Sequence, residues 1–559
     1  LTREENISDS ISMRKKHLYI LLALLLWVFP VSNAQSAPRV SPEEILKTMT
    51  LDEKVGQLFI VWFKGGEMSP FLQKAIGEYH VGGLIFYSIT GNTKSPEQIT
   101  TLSTAAQRLA LRTGADLGLF MSIDQEGGPV TRLTKGFTVL PSNLSIGHTD
   151  TAISASRAAT LLAQEMTAVG LNMNFAPSVD VNSNPDNPII GTRSFGSDPN
   201  VVARFGRAAV DAYVAQKVIP VLKHFPGHGD TSVDSHNAMP VVPHSLARLQ
   251  QTELAPFSAL AEDAPAIMTA HLFVPALDPT PNQPATFSHK ILTELLRKKM
   301  GFNGLIITDS LGMGAIANTY GSGQAAVRAF KAGADILLFG ADKGHEPEEA
   351  LAAIRTVRDA VKNGKISEVR LNASVLRILK TKKAYNILSP SFQSPLAASH
   401  MVGTPKHRAA ALMLARKGTK ILRDTHKQLP IRGAIPPAVI TFGDTPSQQT
   451  VEASFPAGTG LIKLPRRPSQ ELILRVLKHL RDADCIVLTR KTAKAPEQLE
   501  LVRALESRNA GKLYVATLGT ADAILNKTAA PCVIASGSST PEAIRAIAEL
   551  LFASATQVR

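Results

Sequence analysis

The chain has 559 residues, 44% of them hydrophobic and 19% charged, a balance that excludes a disordered chain and is too long for one ordinary domain. Its formal net charge of +14 is spread along the sequence, without a dense Lys/Arg block or interleaved aromatics. That pattern reads as a solvated basic surface and speaks against a nucleic-acid groove.

The first segment reads as a leader. Arg14-Lys15-Lys16 precedes an apolar run from Leu18 to Phe29, and Ser32-Asn33-Ala34 offers a small-x-small cleavage site, with Ala37 as a second candidate. This is the order of a secretory signal, with an apolar run short for a membrane span. It predicts a secreted or periplasmic protein with no stable membrane insertion after leader removal, or one that keeps the leader as an anchor. Residues 1–37, including an extension ahead of Met13, are set aside from the fold.

From residue 41 onward short β-like runs alternate with amphipathic helical stretches. The strands expected are Leu58–Phe63, Gly83–Tyr87, Gly118–Ile123, Asn172–Ala176, Val218–Lys223, Ala266–Ala270, Leu305–Thr308 and Ile336–Phe339. Between them lie helical patterns such as Ile153–Val169, Val201–Gln216, Ser288–Lys299 and Gly323–Ala332. Eight repeats in about 300 residues is the count and size of a (β/α)8 TIM-like barrel. The strands are continuously apolar, which suits a parallel sheet covered by helices.

The rhythm breaks at Leu388-Ser389-Pro390-Ser391-Phe392-Gln393-Ser394-Pro395, a linker by composition. A second α/β pattern follows, with strands expected at Lys420–Leu422, Ala438–Phe442, Cys485–Thr489, Leu513–Thr517 and Cys532–Ala535. The organisation expected is a barrel over 38–387, a linker over 388–405 and a smaller layered α/β sandwich domain over 406–559. Cys485 and Cys532 sit in apolar runs far apart; buried free thiols are the favoured reading over a disulfide, and no zinc spacing is present.

The chemistry gathers at the expected strand ends. Asp124-Gln125-Glu126-Gly127-Gly128 and then Arg132 follow the third strand, and Asp180 follows the fourth. The fifth runs into Lys223-His224-Phe225-Pro226-Gly227-His228-Gly229-Asp230-Thr231-Ser232-Val233-Asp234-Ser235-His236; His271 follows the sixth strand and Asp309 the seventh. A barrel brings these tips to one rim, which argues for an enzyme. Asp309 by itself could be nucleophile, base, metal ligand or helix cap. Asp234, two residues from His236, can orient that imidazole for proton transfer. His224 and His228 have a zinc-like spacing, but Pro226, Gly227 and Gly229 oppose the helix it would need. No metal or cofactor is expected.

Taken together, these motifs resemble glycoside hydrolase family 3, in its β-N-acetylglucosaminidase branch. The resemblance rests on Asp124 to Arg132, on Gly191-Thr192-Arg193-Ser194-Phe195-Gly196, on Lys223 to His236, and on Thr308-Asp309-Ser310-Leu311-Gly312-Met313, in that order. It implies Asp309 as nucleophile forming a covalent glycosyl-aspartate, and His236 paired with Asp234 as acid/base. It also implies that Asp124, Arg132, Arg193, Lys223 and His224 bind the sugar. Retention of configuration follows from two displacements. Ser310, Gly312 and Pro129 depart from the branch's usual residues, beside the site.

The function expected is release of terminal β-linked N-acetylglucosamine from peptidoglycan fragments or chitin oligosaccharides. The alternatives are a β-glucosidase of the same family, a phosphorylase using phosphate as acceptor, and a non-catalytic glycan-binding barrel.

Overall fold

A computed structural model describes residues 41–235, 238–432, 437–443, 446–480, 484–489, 496–508, 513–520 and 525–552. The leader region and His236 lie outside the described residues. Residues 41–45 open the helix Pro42–Thr48, where the Ser41 hydroxyl accepts from the Glu44 amide at 3.2 Å.

From residue 46 onward the first sheet has eight parallel strands: β1 (Phe59–Trp62), β2 (Gly83–Phe86), β3 (Phe120–Ile123), β4 (Met173–Asn174), β5 (Ile219–Phe225), β6 (Ala266–Thr269), β7 (Leu305–Ile307) and β8 (Leu337–Phe339). Each pairs with its sequence neighbour, and β1 also pairs with β8. Between β7 and β8 the ring is joined by a parallel bridge, Ile307 to Ile336. The barrel expected from the repeat is therefore present. All seven residues of β5 are buried, as are all four of β1, β2, β3 and β6, because side chains fill the barrel on one face and helices cover the other.

Two expectations about barrel elements need correction. β5 does not stop at Lys223 but runs through His224 to Phe225. A lysine at a fully buried strand position is tolerable only with its charge neutralised, and Lys223 is held between two carboxylates (below). The stretch expected as an ordinary helix over Ser288–Lys299 is a π-helix over Lys290–Lys299. Its end shows the wider winding, the Met300 amide donating to the Leu295 carbonyl at 2.9 Å.

The expected linker is only partly irregular. Ser394 caps a helix over Pro395–Met401, accepting from the Ala397 amide at 3.1 Å, with Pro395 in the first turn. Serine before proline is a helix-start signal, and it outweighs the loop composition of the residues before it. A longer helix, Pro405–Gly418, leads into the second sheet.

That sheet comprises β9 (Lys420–Asp424), β10 (Ala438–Phe442), β11 (Gly460–Leu464), β12 (Cys485–Thr489), β13 (Leu513–Thr517) and β14 (Cys532–Ala535), in the order β11-β10-β12-β13-β14-β9. All neighbours are parallel except β9, which is antiparallel to β14. β11 was not expected: it is a half-exposed edge whose Gly460 and Lys463 interrupt the apolar run. Alternate residues of the central strands feed two separate cores. Cys485 packs in one with Val487 and Val533, and Cys532 in the other with Ile486 and Ile534. Neither thiol is in a disulfide, and the two lie on opposite faces of the sheet; burial pushes that of Cys532 up to about 12.

Candidate active site

A cavity of about 340 Å³ opens at the strand tips. Its wall includes Asp124, Arg132, Arg193, Lys223, His224 and Asp309, so six of the eight expected site residues share one space. Ser235 lines it as well. Asp234, half-buried beside Ser235, is not part of that wall, and His236 lies outside the described residues.

The charged core is assembled from three strand ends. Lys223 Nζ lies 2.7 Å from Asp124 Oδ1 and 2.7 Å from Glu126 Oε1. Arg193 grips Glu126 with two bonds, Nε to Oε2 at 3.0 Å and Nη2 to Oε1 at 2.8 Å. Burial alone would push the Glu126 carboxyl up, but Arg193 and Lys223 outweigh it and hold it down at about 2. Burial likewise disfavours the Lys223 ammonium, yet Asp124 and Glu126 raise its proton affinity above that of an ordinary lysine. The array is therefore charged throughout the neutral range, with its donors fixed in place.

Local backbone places these groups. Gln125 follows Asp124 and accepts from the amides of Arg132 (2.8 Å) and Leu133 (3.0 Å), while its own amide donates to Asn174 Oδ1 at 2.9 Å. The turn between them needs Gly127 and Gly128, whose φ values are +91° and +56°. Arg132 thereby returns to the cavity, its guanidinium 5.8 Å from the centre of the Tyr87 ring. Among the described residues the buried Arg132 Nε–H has no hydrogen-bond partner, an unmet donor in the cavity wall that a ligand oxygen would satisfy.

A second network holds the histidines. Asp180 is fully buried and binds His224 Nδ1 at 2.6 Å and the His228 amide at 2.7 Å. Although burial opposes it, the pairing with His224 keeps the Asp180 carboxyl well below the usual carboxylate range. On its other side, His224 Nε2 stands 3.2 Å from Arg193 Nη2. His228 contacts Thr231 Oγ1 through Nδ1 (2.7 Å) and Ser235 Oγ through Nε2 (3.2 Å). Burial and the neighbouring His224 push its pKa down to about 4, so it is neutral at pH 7 and braces the loop instead of trading protons.

Asp309 sits two residues beyond β7. Its amide donates to the Thr269 carbonyl at 3.2 Å, and its Oδ1 accepts from the Ser310 amide at 2.8 Å. The Ser310 carbonyl contacts His271 Nε2 at 2.8 Å, and the Ser310 hydroxyl bonds Asp342 beyond β8. Expected at the rim, His271 is instead fully buried and supports the Asp309 turn from beneath. The next segment reaches across to the histidine loop, the Ala315 amide donating to the Ser235 carbonyl at 3.2 Å.

Sequence reasoning did not put Glu126, Asp180, Tyr87 or Asp342 among the site residues. Glu126 and Asp180 carried a signal, as acidic residues just past apolar strands; Asp342 lay past the last expected strand without a motif. Burial, with Asp124 next, raises the Tyr87 hydroxyl well above its ordinary value, so it stays protonated as a donor.

Among the described residues one group has metal-ligand geometry: Asp230, His244 and Glu253, with ligand atoms within 4.8 Å of one another. Arg248 already supplies a cation there, its Nη2 3.5 Å from Asp230 and 3.3 Å from Glu253. His224 and His228 have their ring nitrogens directed to Asp180, Arg193, Thr231 and Ser235, which is not the geometry of a shared metal centre.

Comparison with known proteins gives a concordant picture. The profile described as "Glycosyl hydrolase family 3 N terminal domain" matches residues 50–381. The chain is 38% identical over 368 residues to beta-hexosaminidase A of Pseudoalteromonas piscicida, covering 62% of this chain and 60% of that protein's length. It is 35% identical over 362 residues to beta-hexosaminidase LpqI of Mycobacterium tuberculosis, covering 63% of this chain and 88% of that one. A solved family 3 beta-N-acetylglucosaminidase from Paenibacillus sp. FPU-7 superposes with a TM-score of 0.79 at 34% identity, over 90% of this chain and 97% of its own. That last match spans both sheets.

Proposed function

The chain belongs to glycosyl hydrolase family 3, and from that premise we propose that it is a retaining exo-β-N-acetylglucosaminidase. Its substrates would be β-linked N-acetylglucosamine units at the non-reducing ends of peptidoglycan fragments or chitin oligosaccharides. The observation that carries the reading is the cavity wall, where Asp309 faces the same space as Arg132, Arg193 and Lys223. The volume, about 340 Å³, is at the lower end of the roughly 300–1,000 Å³ of small-ligand sites, which suits a terminal sugar better than an extended chain.

In this reading Asp309 attacks the anomeric carbon as the glycosidic C–O bond breaks. His236, oriented by Asp234, gives its proton to the departing oxygen. Water then enters from the face the leaving group vacated, and His236 takes its proton. The Asp309–sugar bond breaks and configuration is retained. Support for the histidine comes from Ser235, which lies between Asp234 and His236, lines the cavity and is tied to the segment following Asp309. Arg132, Arg193 and Lys223 suit the sugar's hydroxyls and acetamido oxygen as fixed donors, and Asp124 suits it as an acceptor. The leader-like N-terminus supports a secreted or periplasmic location, where cell-wall glycans are found.

Turnover of 4-nitrophenyl N-acetyl-β-glucosaminide and 4-nitrophenyl β-glucoside, each with and without phosphate, tests the assignment. The expected result is at least about 100-fold preference in kcat/KM for the acetamido sugar, the discrimination a few well-placed polar contacts supply, with free sugar as product. Preference for the glucoside, or sugar 1-phosphate as the main product, would overturn it.

A further inference from the structure

The five-residue helix Asn143–Gly147 stands between the sugar site and the C-terminal sheet. On the cavity side, Asn143 Nδ2 donates to the Arg193 carbonyl at 2.8 Å. Gly147 lies so close to the segment after Arg193 that a Cβ there would come 1.8 Å from the Phe195 carbonyl oxygen, and a Cβ on Gly128 would come 2.5 Å from the Ser142 Cβ. On the opposite side, the Ser142 amide donates to Ser538 Oγ at 3.2 Å, and its hydroxyl donates to the Gly537 carbonyl at 2.5 Å. A Cβ on Gly418, at the end of the helix entering the second sheet, would come 2.2 Å from the Ser145 carbonyl oxygen.

A second tie runs parallel to the first. Buried Glu165 accepts from the Thr138 amide (2.9 Å) and hydroxyl (2.7 Å), on the segment joining Arg132 to Ser142. The same carboxylate accepts from the Gly403 amide at 2.8 Å and binds His407 Nδ1 at 2.8 Å, both at the approach to the second sheet. Close-packed backbone transmits displacement instead of absorbing it.

We propose that the C-terminal domain is a positioning element of the sugar site: Gly537 and Ser538 fix Ser142, and Asn143 passes that constraint to Arg193, and so to Glu126 and Lys223. The residues concerned are positioning residues, since Ser538 is outside the cavity wall. The inference rests on the cavity being the N-acetylglucosamine site.

The test uses the full chain carrying Ser538→Ala, Asn143→Ala, both together, or Ser538→Thr, which keeps the hydroxyl. Ser538→Ala should raise KM for the nitrophenyl N-acetylglucosaminide, and the inhibition constant of free N-acetylglucosamine, by about fivefold, the worth of one hydrogen bond. kcat should move less than about twofold, and Ser538→Thr should restore the wild-type KM. The double variant should be no worse than the poorer single one, because both act through one chain of contacts. A folded Ser538→Ala protein with wild-type KM, or additive losses in the double variant, would overturn the inference. Should Ser538→Ala not fold, Asn143→Ala in the barrel decides alone, an unchanged KM counting against the proposal. A wild-type chain inert toward the glycoside would instead defeat the functional reading, so the two failures are distinct.

Discussion

Asp309→Ala should turn over N-acetylglucosaminides roughly 10⁴-fold more slowly than the wild-type chain, as expected when the proposed nucleophile is removed. Binding of free N-acetylglucosamine should persist within about threefold, because one contact among several is lost. The structure gives reasons for that separation. The main chain at Asp309 is held from β6 by Thr269, and Ser310 is held by His271 and Asp342. Alanine gives up the bond from the Ser310 amide to the Asp309 carboxylate, but the bonds to Thr269, His271 and Asp342 do not use that carboxylate and still hold the turn. Steady-state rates with a nitrophenyl glycoside, together with calorimetric binding of the sugar, check both halves. Residual turnover within about tenfold of wild type would assign the nucleophile elsewhere.

Glu126→Gln should be the most damaging change away from the reacting centre. It keeps the side-chain shape but removes the negative charge between Arg193, which is partly buried, and Lys223, which is buried with it. Breaking a buried pair from one side costs about 3–5 kcal/mol, since the remaining charge is stranded, and here two cations are affected. We expect a thermal midpoint several degrees lower and a kcat/KM reduced on the order of 10²-fold, mostly through KM, as Arg193 and Lys223 lose their fixed positions. The pH dependence has a definite sign. An ordinary glutamate titrates near 4.5, whereas the folded Glu126 is held at about 2. Its contribution is therefore complete above pH 4.5 and is lost as pH falls toward 2. Thermal melts at pH 3 and pH 7 should show the wild type's advantage over Glu126→Gln shrinking at the lower pH; an equal gap would contradict the ion-pair account.

Much of this arrangement was legible in the sequence because barrel strands are continuous apolar runs and the chemistry sits directly past them. Asp124 after Ile123 and Asp309 after Ile307 needed no partner to be noticed. The central strands of the second sheet, Ala438–Phe442, Cys485–Thr489 and Leu513–Thr517, were equally plain, since each is apolar on both faces. What stayed hidden depended on distant partners. Glu126 reads as part of a glycine turn until Arg193 and Lys223 are seen around it, and His271 reads as a rim residue until Thr286 and Ser310 are seen to occupy its nitrogens. The helix over Pro395–Met401 was masked by a loop-like composition, and edge strand β11 by its polar residues. The contact of Ser142 with Gly537 and Ser538 joins residues nearly 400 positions apart, beyond any local pattern.

The central claim is that Asp309 becomes covalently attached to the sugar. Incubating the wild-type chain with a 5-fluoro N-acetylglucosaminyl fluoride and mapping the modified peptide by mass spectrometry tests it most directly. A single glycosyl adduct on Asp309 is the predicted result. An adduct on Asp124, Asp342 or another carboxylate, or steady release of product with no adduct at any time, would contradict the account.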